Sequence, residues 1–364
     1  MAGSGTAGVN DLVFPRGRTG ASVLAADGRD SGLAAGRRLR LALAGLWLAD
    51  AALQFQPFMF TRGFGQALAA TAHGNPAVLA DPIMWSARLT EQYPVAFNAA
   101  FATVQLLLAA GIAWRRTTRA ALAASVAWSL AVWWLGEGFG GLLAGTASPV
   151  SGAPGAVILY ALLAVLLWPA GDRAGAARHV ARHSRPPVAA RHAAPAAPAA
   201  SSFPAARAVG PRVARLAWLI LWGVLAATAL LPGNRGPGAL AGLISHAGSG
   251  EPGWVAAMES GAASLAGSRG LALSVALAAL LALTAAGIYL PPRLACAALV
   301  LAMVLAVAFW VTGEAFGAVL TGQATDPSTG PLLVLLALAY WPRGRRARLG
   351  DLDAQPGGEG DYGG

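Results

Sequence analysis

Long apolar runs alternate with short polar breaks along most of the chain. The runs cover about 39–60, 94–113, 120–144, 154–168, 214–232, 269–290, 293–320 and 330–342. Several approach the roughly 20 residues that cross a bilayer core as a helix. The pattern predicts an all-α integral membrane protein with eight transmembrane helices. The fourth and eighth runs are short: Pro331 to Pro342 covers only about 18 Å at the helical rise. They must recruit loop residues, thin the bilayer, or be shielded by neighbours.

The polar breaks set the organisation. Residues 1–38 are Gly-rich and basic and are expected to be a disordered cytoplasmic N-terminus, with the first run as an uncleaved anchor. Residues 61–93 have mixed character. Asn75-Pro76 there is a good helix start, because Asn caps free N–H groups and Pro suits the first helical position. A short interfacial helix is expected from that point. Residues 171–213 change to Ala, Pro, Arg and His, with six prolines that forbid a continuous helix; this is read as a disordered cytoplasmic linker. Residues 343–364 are read as a disordered cytoplasmic tail. The membrane segments are then 39–170 and 214–342.

Those two segments share landmarks at near-constant spacing. Ala110-Gly111-Ile112 recurs as Ala286-Gly287-Ile288, and Trp134 recurs as Trp310. Gly136-Glu137-Gly138-Phe139-Gly140 recurs as Gly313-Glu314-Ala315-Phe316-Gly317, and Pro154 as Pro331. His73 and His246 both fall between the first and second runs of their halves. The architecture expected is two four-helix repeats. An even number of spans in each half makes the repeats parallel.

Composition supports the membrane reading and fixes an orientation. Hydrophobic residues make up 56% of the chain and charged residues 12%, about half the charge of a soluble domain. The net charge of +10 comes with 26 basic residues, all arginine. With the N-terminus inside, only Arg62, Arg88, Arg235 and Arg269 fall outside. That bias places both termini in the cytoplasm of a bacterial plasma membrane. It also accounts for the basic charge without nucleic acid. The lone Cys296 excludes an intrachain disulfide and any cysteine-based metal site.

Few groups carry chemistry. Glu137 and Glu314 interrupt apolar runs, where a carboxylate is a functional candidate. Glu137 lies 18 residues beyond Arg119 and Glu314 21 beyond Arg293, about 27 and 31 Å up a helix, near the outer boundary. One reading makes them a paired ion or substrate site; the other makes each a hydrogen-bonding partner for a neighbouring helix end. Gly136/Gly140 and Gly313/Gly317 have the GxxxG spacing of close helix–helix packing. Asp50 sits in the first run with an apolar counterpart near Leu225. His73 and His246, with the glutamates, are weak metal-ligand candidates. No motif demands a cofactor, and no catalytic dyad is present.

Leu46-Trp47-Leu48-Ala49-Asp50, Gln56-Pro57-Phe58-Met59-Phe60 and the Gly-Glu-x-Phe-Gly motif resemble a group of uncharacterised polytopic membrane proteins of actinobacteria, over nearly all of residues 40–342. The resemblance implies the architecture and no activity. In span count each half is also similar in outline to DoxX-like membrane proteins, some of them associated with quinone or thiol redox systems. The leading expectation is a non-enzymatic, transporter- or permease-like protein for a small solute or ion, with paired outer-side glutamates. The rivals are a membrane-embedded redox or metal-handling component and a non-catalytic subunit of a homo-oligomer or membrane complex.

Overall fold

A computed structural model describes residues 20–169 and 203–342. Every regular element among them is a helix. The first half holds α1 (Gly20–Leu53), α2 (Arg62–Ala70), α3 (Ala77–Gln92), α4 (Pro94–Ala113), α5 (Thr118–Leu135) and α6 (Ala156–Leu166). The second holds α7 (Pro204–Val209), α8 (Pro211–Ala229), α9 (Pro232–Arg235), α10 (Ala239–Ala247), α11 (Gly253–Ala266), α12 (Gly270–Gly287), α13 (Pro292–Thr312) and α14 (Thr329–Tyr340). The described residues from Gly36 on form one unit, and the start of α1, before Gly36, lies outside it.

Among the described residues four helices are long and apolar enough to cross a membrane: α4, α8, α12, and α13 with its continuation to Thr321. Their outward faces carry Leu107, Leu283 and Val304, each more than half exposed. Apolar surface of that extent is the mark of a membrane protein. The short apolar helices α6 and α14 are instead the most enclosed. Leu159, Tyr160, Leu163 and Ala164 on α6, and Leu332, Leu333, Ala337 and Tyr340 on α14, are buried. The two helices touch each other and α7. Of the three ways to accommodate a short run, shielding by neighbours is the one used.

Proline sets many of the helix starts. Pro94, Pro204, Pro211, Pro232 and Pro292 each stand in a first helical turn, where the missing N–H leaves no bond unmade. This corrects part of the expected linker. Pro204 opens α7, Ala205 is fully buried, and Phe203 stacks on Tyr340 with centroids 5.3 Å apart. Residues 170–202, the tail 343–364 and residues 1–19 lie outside the described residues, with the disorder expected for them. The helix α1 begins at Gly20, inside the stretch expected to be disordered; its Ala- and Arg-rich sequence favours helix.

Between the first and second runs, each half carries two helices rather than one. They are α2 with α3, and α10 with α11, packed as pairs. Gly74 and Gly250 both take positive φ, 76° and 79°. Pro76 and Pro252 both cap the following helix, with ψ of 147°. Asn75 does not cap that helix; its amide reaches back to the Thr71 carbonyl at 3.0 Å.

Candidate functional site

The site is organised by the Gly-Glu-x-Phe-Gly segments. The helix α5 stops at Leu135, and Gly138 to Gly141 then take φ of 54°, 59°, 61° and 72°. After α13, residues 315–318 repeat this with φ of 44°, 59°, 77° and 53°. Each segment is one left-handed turn. L-residues resist that conformation at roughly 1–2 kcal/mol each, so glycine at three of the four first-half positions lowers the strain. The turn also requires Gly140 for space: an added Cβ would lie 2.2 Å from the Pro154 carbonyl oxygen.

This corrects the helix-packing expectation. Gly136/Gly140 and Gly313/Gly317 do not share the face of a right-handed helix, because the helix ends at or before the first member of each pair. Their close approaches are to loops: Gly140 to Pro154, Gly313 to Val150, and Gly317 to Pro327.

The turn reverses the chain so that the glutamate meets the start of the next helix. Glu137 Oε1 accepts from the backbone N–H of Ala156 at 3.1 Å and of Val157 at 3.2 Å. Glu314 Oε2 accepts from Thr329 N–H at 3.1 Å and Gly330 N–H at 3.3 Å, and its Oε1 accepts from the Thr329 hydroxyl. Free N–H groups and the positive end of the helix dipole favour a carboxylate there. Trp133 Nε1 donates to the Pro154 carbonyl at 2.7 Å, and Trp310 Nε1 to the Pro327 carbonyl at 2.9 Å. Phe139 and Phe316 stand edge-on to these tryptophans, at 4.9 and 5.3 Å. The structural counterpart of Trp310 is therefore Trp133, not Trp134, and that of Pro154 is Pro327, not Pro331. The first-half loop is longer, which hides the match from fixed-offset comparison.

One difference separates the two copies. Glu137 Oε2 takes no hydrogen bond. Glu137 also lines two cavities, of about 330 and 520 Å³, and Glu314 lines neither. The smaller is walled by Asp50, Glu137 and Asp326, by Gln54 and Gln105, and by aromatic side chains; the larger carries His73, Asn75 and several serines. Glu137 and Asp326 belong to both walls, together with Phe64, Leu68, Gly136 and Thr325. No basic side chain lines the smaller one.

Asp50 accepts from the Tyr160 hydroxyl at 2.8 Å. Trp47, packed 4.1 Å from the Tyr160 ring, donates to the Ser125 hydroxyl at 3.1 Å. Asp326 comes from the loop before α14. Its carboxylate accepts from Ser328 N–H and the Thr325 hydroxyl, both at 2.8 Å. Burial holds its carboxyl above the usual range, and those hydrogen bonds oppose the shift. Gln54 donates to the Thr325 carbonyl at 3.4 Å, tying this loop to the first half. Asn98 donates to the Gln54 carbonyl at 2.7 Å.

Glu137 and Asp50 thus share a cavity wall, and Glu314 stands apart. The expected metal set does not form. Among the described residues no three His, Cys, Asp or Glu side chains converge on a common point. Both glutamates turn onto helix ends, His73 bonds to its own Ala70 carbonyl at 2.9 Å, and His246 is exposed. The position matching His73 is Ser249, since Ser249-Gly250-Glu251-Pro252 aligns with His73-Gly74-Asn75-Pro76. Sequence reading missed Asp326, Gln54 and Gln105. Gln105 had a usable signal, an amide in the middle of an apolar run; Asp326 had only the Thr-Asp-Pro-Ser turn before a helix.

No family model, no curated protein and no solved structure matches the chain. The fold and the site define a helical membrane protein with a buried acidic cavity.

Proposed function

We propose that this chain is a permease-like protein for a small solute or cation. In this reading it has eight spans in two parallel four-helix repeats, lies in the bacterial plasma membrane surrounded by lipid, and keeps both termini in the cytoplasm. The observation that carries the functional part is that Glu137 and Asp326 line both the larger, more polar cavity and the smaller acidic one. The arginine bias puts the polar cavity on the outer side. Glu137 then stands between an outer vestibule and an inner chamber, where a carboxylate can select for positive charge.

The duplication has support beyond the two turns. Gln54 donates to the Thr325 carbonyl across the halves, and Asn234 donates to the Ala147 carbonyl in the opposite sense at 2.9 Å. Asn98 donates to the Gln54 carbonyl, and Ser274, 176 residues on, to the Asn234 carbonyl at 2.7 Å. Reciprocal contacts of this kind are what a pseudo-twofold axis generates. The actinobacterial resemblance supports the same architecture. The metal-handling reading loses its support with the histidines and glutamates apart.

The test is uptake by proteoliposomes. Wild-type protein transports a positively charged solute. Glu137→Gln abolishes uptake, and Glu314→Gln retains it in protein that elutes as the native species. Wild-type uptake by Glu137→Gln would sink the reading.

A further inference from the structure

The smaller cavity has a chemical character that names its ligand more closely than the permease reading, on whose site it rests. Three carboxylates stand on its wall with no basic partner. A cluster of acids alone designates nothing. Here a second observation is independent of them. Gln54 and Gln105 also line the cavity, are more than nine-tenths buried, and each leaves its Oε1 without a hydrogen-bond donor. A buried acceptor without a donor costs roughly 1–3 kcal/mol; turned toward the cavity, both amide oxygens would accept from an occupant that brings N–H groups.

The rest of the wall suits an organic occupant better than a bare metal ion. The acids do not converge into one coordination set among the described residues. Trp85, Phe97, Phe101 and Trp128 also line the wall. Phe101 packs edge-on to Trp128 at 5.7 Å and to Phe97 at 6.1 Å, a rigid aromatic lining. The indole N–H of Trp128 is also without an acceptor. Aromatic faces attract organic cations and cover their hydrocarbon parts. A volume of about 330 Å³ lies at the small end of small-molecule sites.

We infer that the cavity of Asp50, Glu137, Asp326, Gln54 and Gln105 binds an organic amine as its ammonium cation, with an apolar or aromatic body seated against Phe97, Phe101 and Trp128. The ammonium meets the acidic wall, and its N–H groups satisfy the two glutamine oxygens after rotation of the amides. Glu137, whose Oε2 has no hydrogen-bond partner, supplies one of the charge contacts.

The experiment is calorimetric titration of the full-length protein in detergent at pH 7. The probes are 2-phenylethylamine, its neutral counterpart 2-phenylethanol, and the anion 3-phenylpropionate. The amine binds saturably, with the alcohol at least tenfold weaker and the acid not detected. Glu137→Gln weakens amine binding tenfold or more. Gln105→Leu weakens it several-fold and serves where Glu137→Gln does not fold. Equal binding of amine and alcohol shows an apolar pocket only and overturns the inference, as does no binding by any probe. Proteoliposome uptake separates the two proposals. Amine binding without uptake of any cation overturns the permease reading alone. Uptake of an inorganic cation with no amine binding overturns this inference alone.

Discussion

The two left-handed turns adopt one backbone shape for different ends. In the first, three of four positions are glycine, and Glu137 spends one oxygen on the helix and keeps the other free. In the second, Ala315, Phe316 and Ala318 hold positive φ without glycine, and Glu314 uses both oxygens on Thr329 and Gly330. Strain of roughly 1–2 kcal/mol per residue is thus greater where the glutamate is more fully tied down. The second turn is a latch. The first is a latch with a spare carboxylate oxygen, and of the two glutamates only Glu137 lines the two cavities described.

The largest expected effect tests the shared shape. Gly140→Ala puts a Cβ 2.2 Å from the Pro154 carbonyl oxygen; Gly317→Ala puts one 2.7 Å from the nearest atom of Pro327. Both carry positive φ, so both add left-handed strain. The Pro154 carbonyl cannot yield easily, because Trp133 also bonds to it. Gly140→Ala should cost on the order of 4 kcal/mol and Gly317→Ala on the order of 2–3, read as thermal denaturation in detergent. Equal melting temperatures would show that the close approach carries no weight.

The next effect separates latch from site. Replacing either glutamate with glutamine keeps one oxygen to accept from the helix N–H groups and removes the charge at the helix end, worth up to about 1 kcal/mol. In Glu314→Gln the amide nitrogen also displaces the oxygen that accepts from the Thr329 hydroxyl, about 0.5–1.5 kcal/mol more. Glu137→Gln should therefore melt close to the wild type and Glu314→Gln somewhat below it. Only Glu137→Gln should lose amine binding, by tenfold or more. If Glu314→Gln loses it equally, the distinction between the copies fails and a paired site returns.

These two tests also mark where sequence reading reached and stopped. The helical membrane class and the importance of the Gly-Glu-x-Phe-Gly segments were legible, since apolar run length and an isolated carboxylate are local signals. The left-handed turn was not. Its glycines have GxxxG spacing, and only the positive φ values and the Pro154 contact show that the helix has already ended. The cavity was hidden for another reason: Asp50, Gln105 and Glu137 are far apart in the chain, and Asp326 arrives from the second half. Fixed offsets also misled. The longer loop after Glu137 shifts the last helix, so Pro154 paired with Pro331 on paper and with Pro327 in space.

A second asymmetry concerns the helix before the second run. Ile83 on α3 is fully buried, and 176 residues later Glu259 on α11 is fully buried as well. Both Glu259 oxygens lack donors. Burial, then the charge of Glu251, pushes Glu259 up to about 7 from 4.5. The folded state holds this proton more tightly than the unfolded chain. The resulting stability is full below pH 4.5 and is lost as pH rises through about 7. Glu259→Gln should match the wild type at pH 4.5 and exceed it at pH 8.5 in thermal melts. A constant difference at both pH values would assign the effect to packing.

The smallest expected effect concerns the tryptophans that clamp the loops. Trp133→Phe and Trp310→Phe each remove one N–H···O=C bond, at 2.7 and 2.9 Å, while keeping a ring near Phe139 or Phe316. Each should cost about 0.5–1.5 kcal/mol if the bond acts alone. The comparison predicts a larger loss at Trp133. The Pro154 carbonyl it holds lies over Gly140, and Gly155 beside it makes room for Glu137 Oε2, where an added Cβ would lie 2.0 Å away. Loosening that loop should disturb the carboxylate as well as the fold. Amine binding should therefore weaken more in Trp133→Phe than in Trp310→Phe, whose loop brings Asp326 to the cavity but does not hold Glu137. Equal binding by both variants would mean that the position of Glu137 does not depend on its clamp.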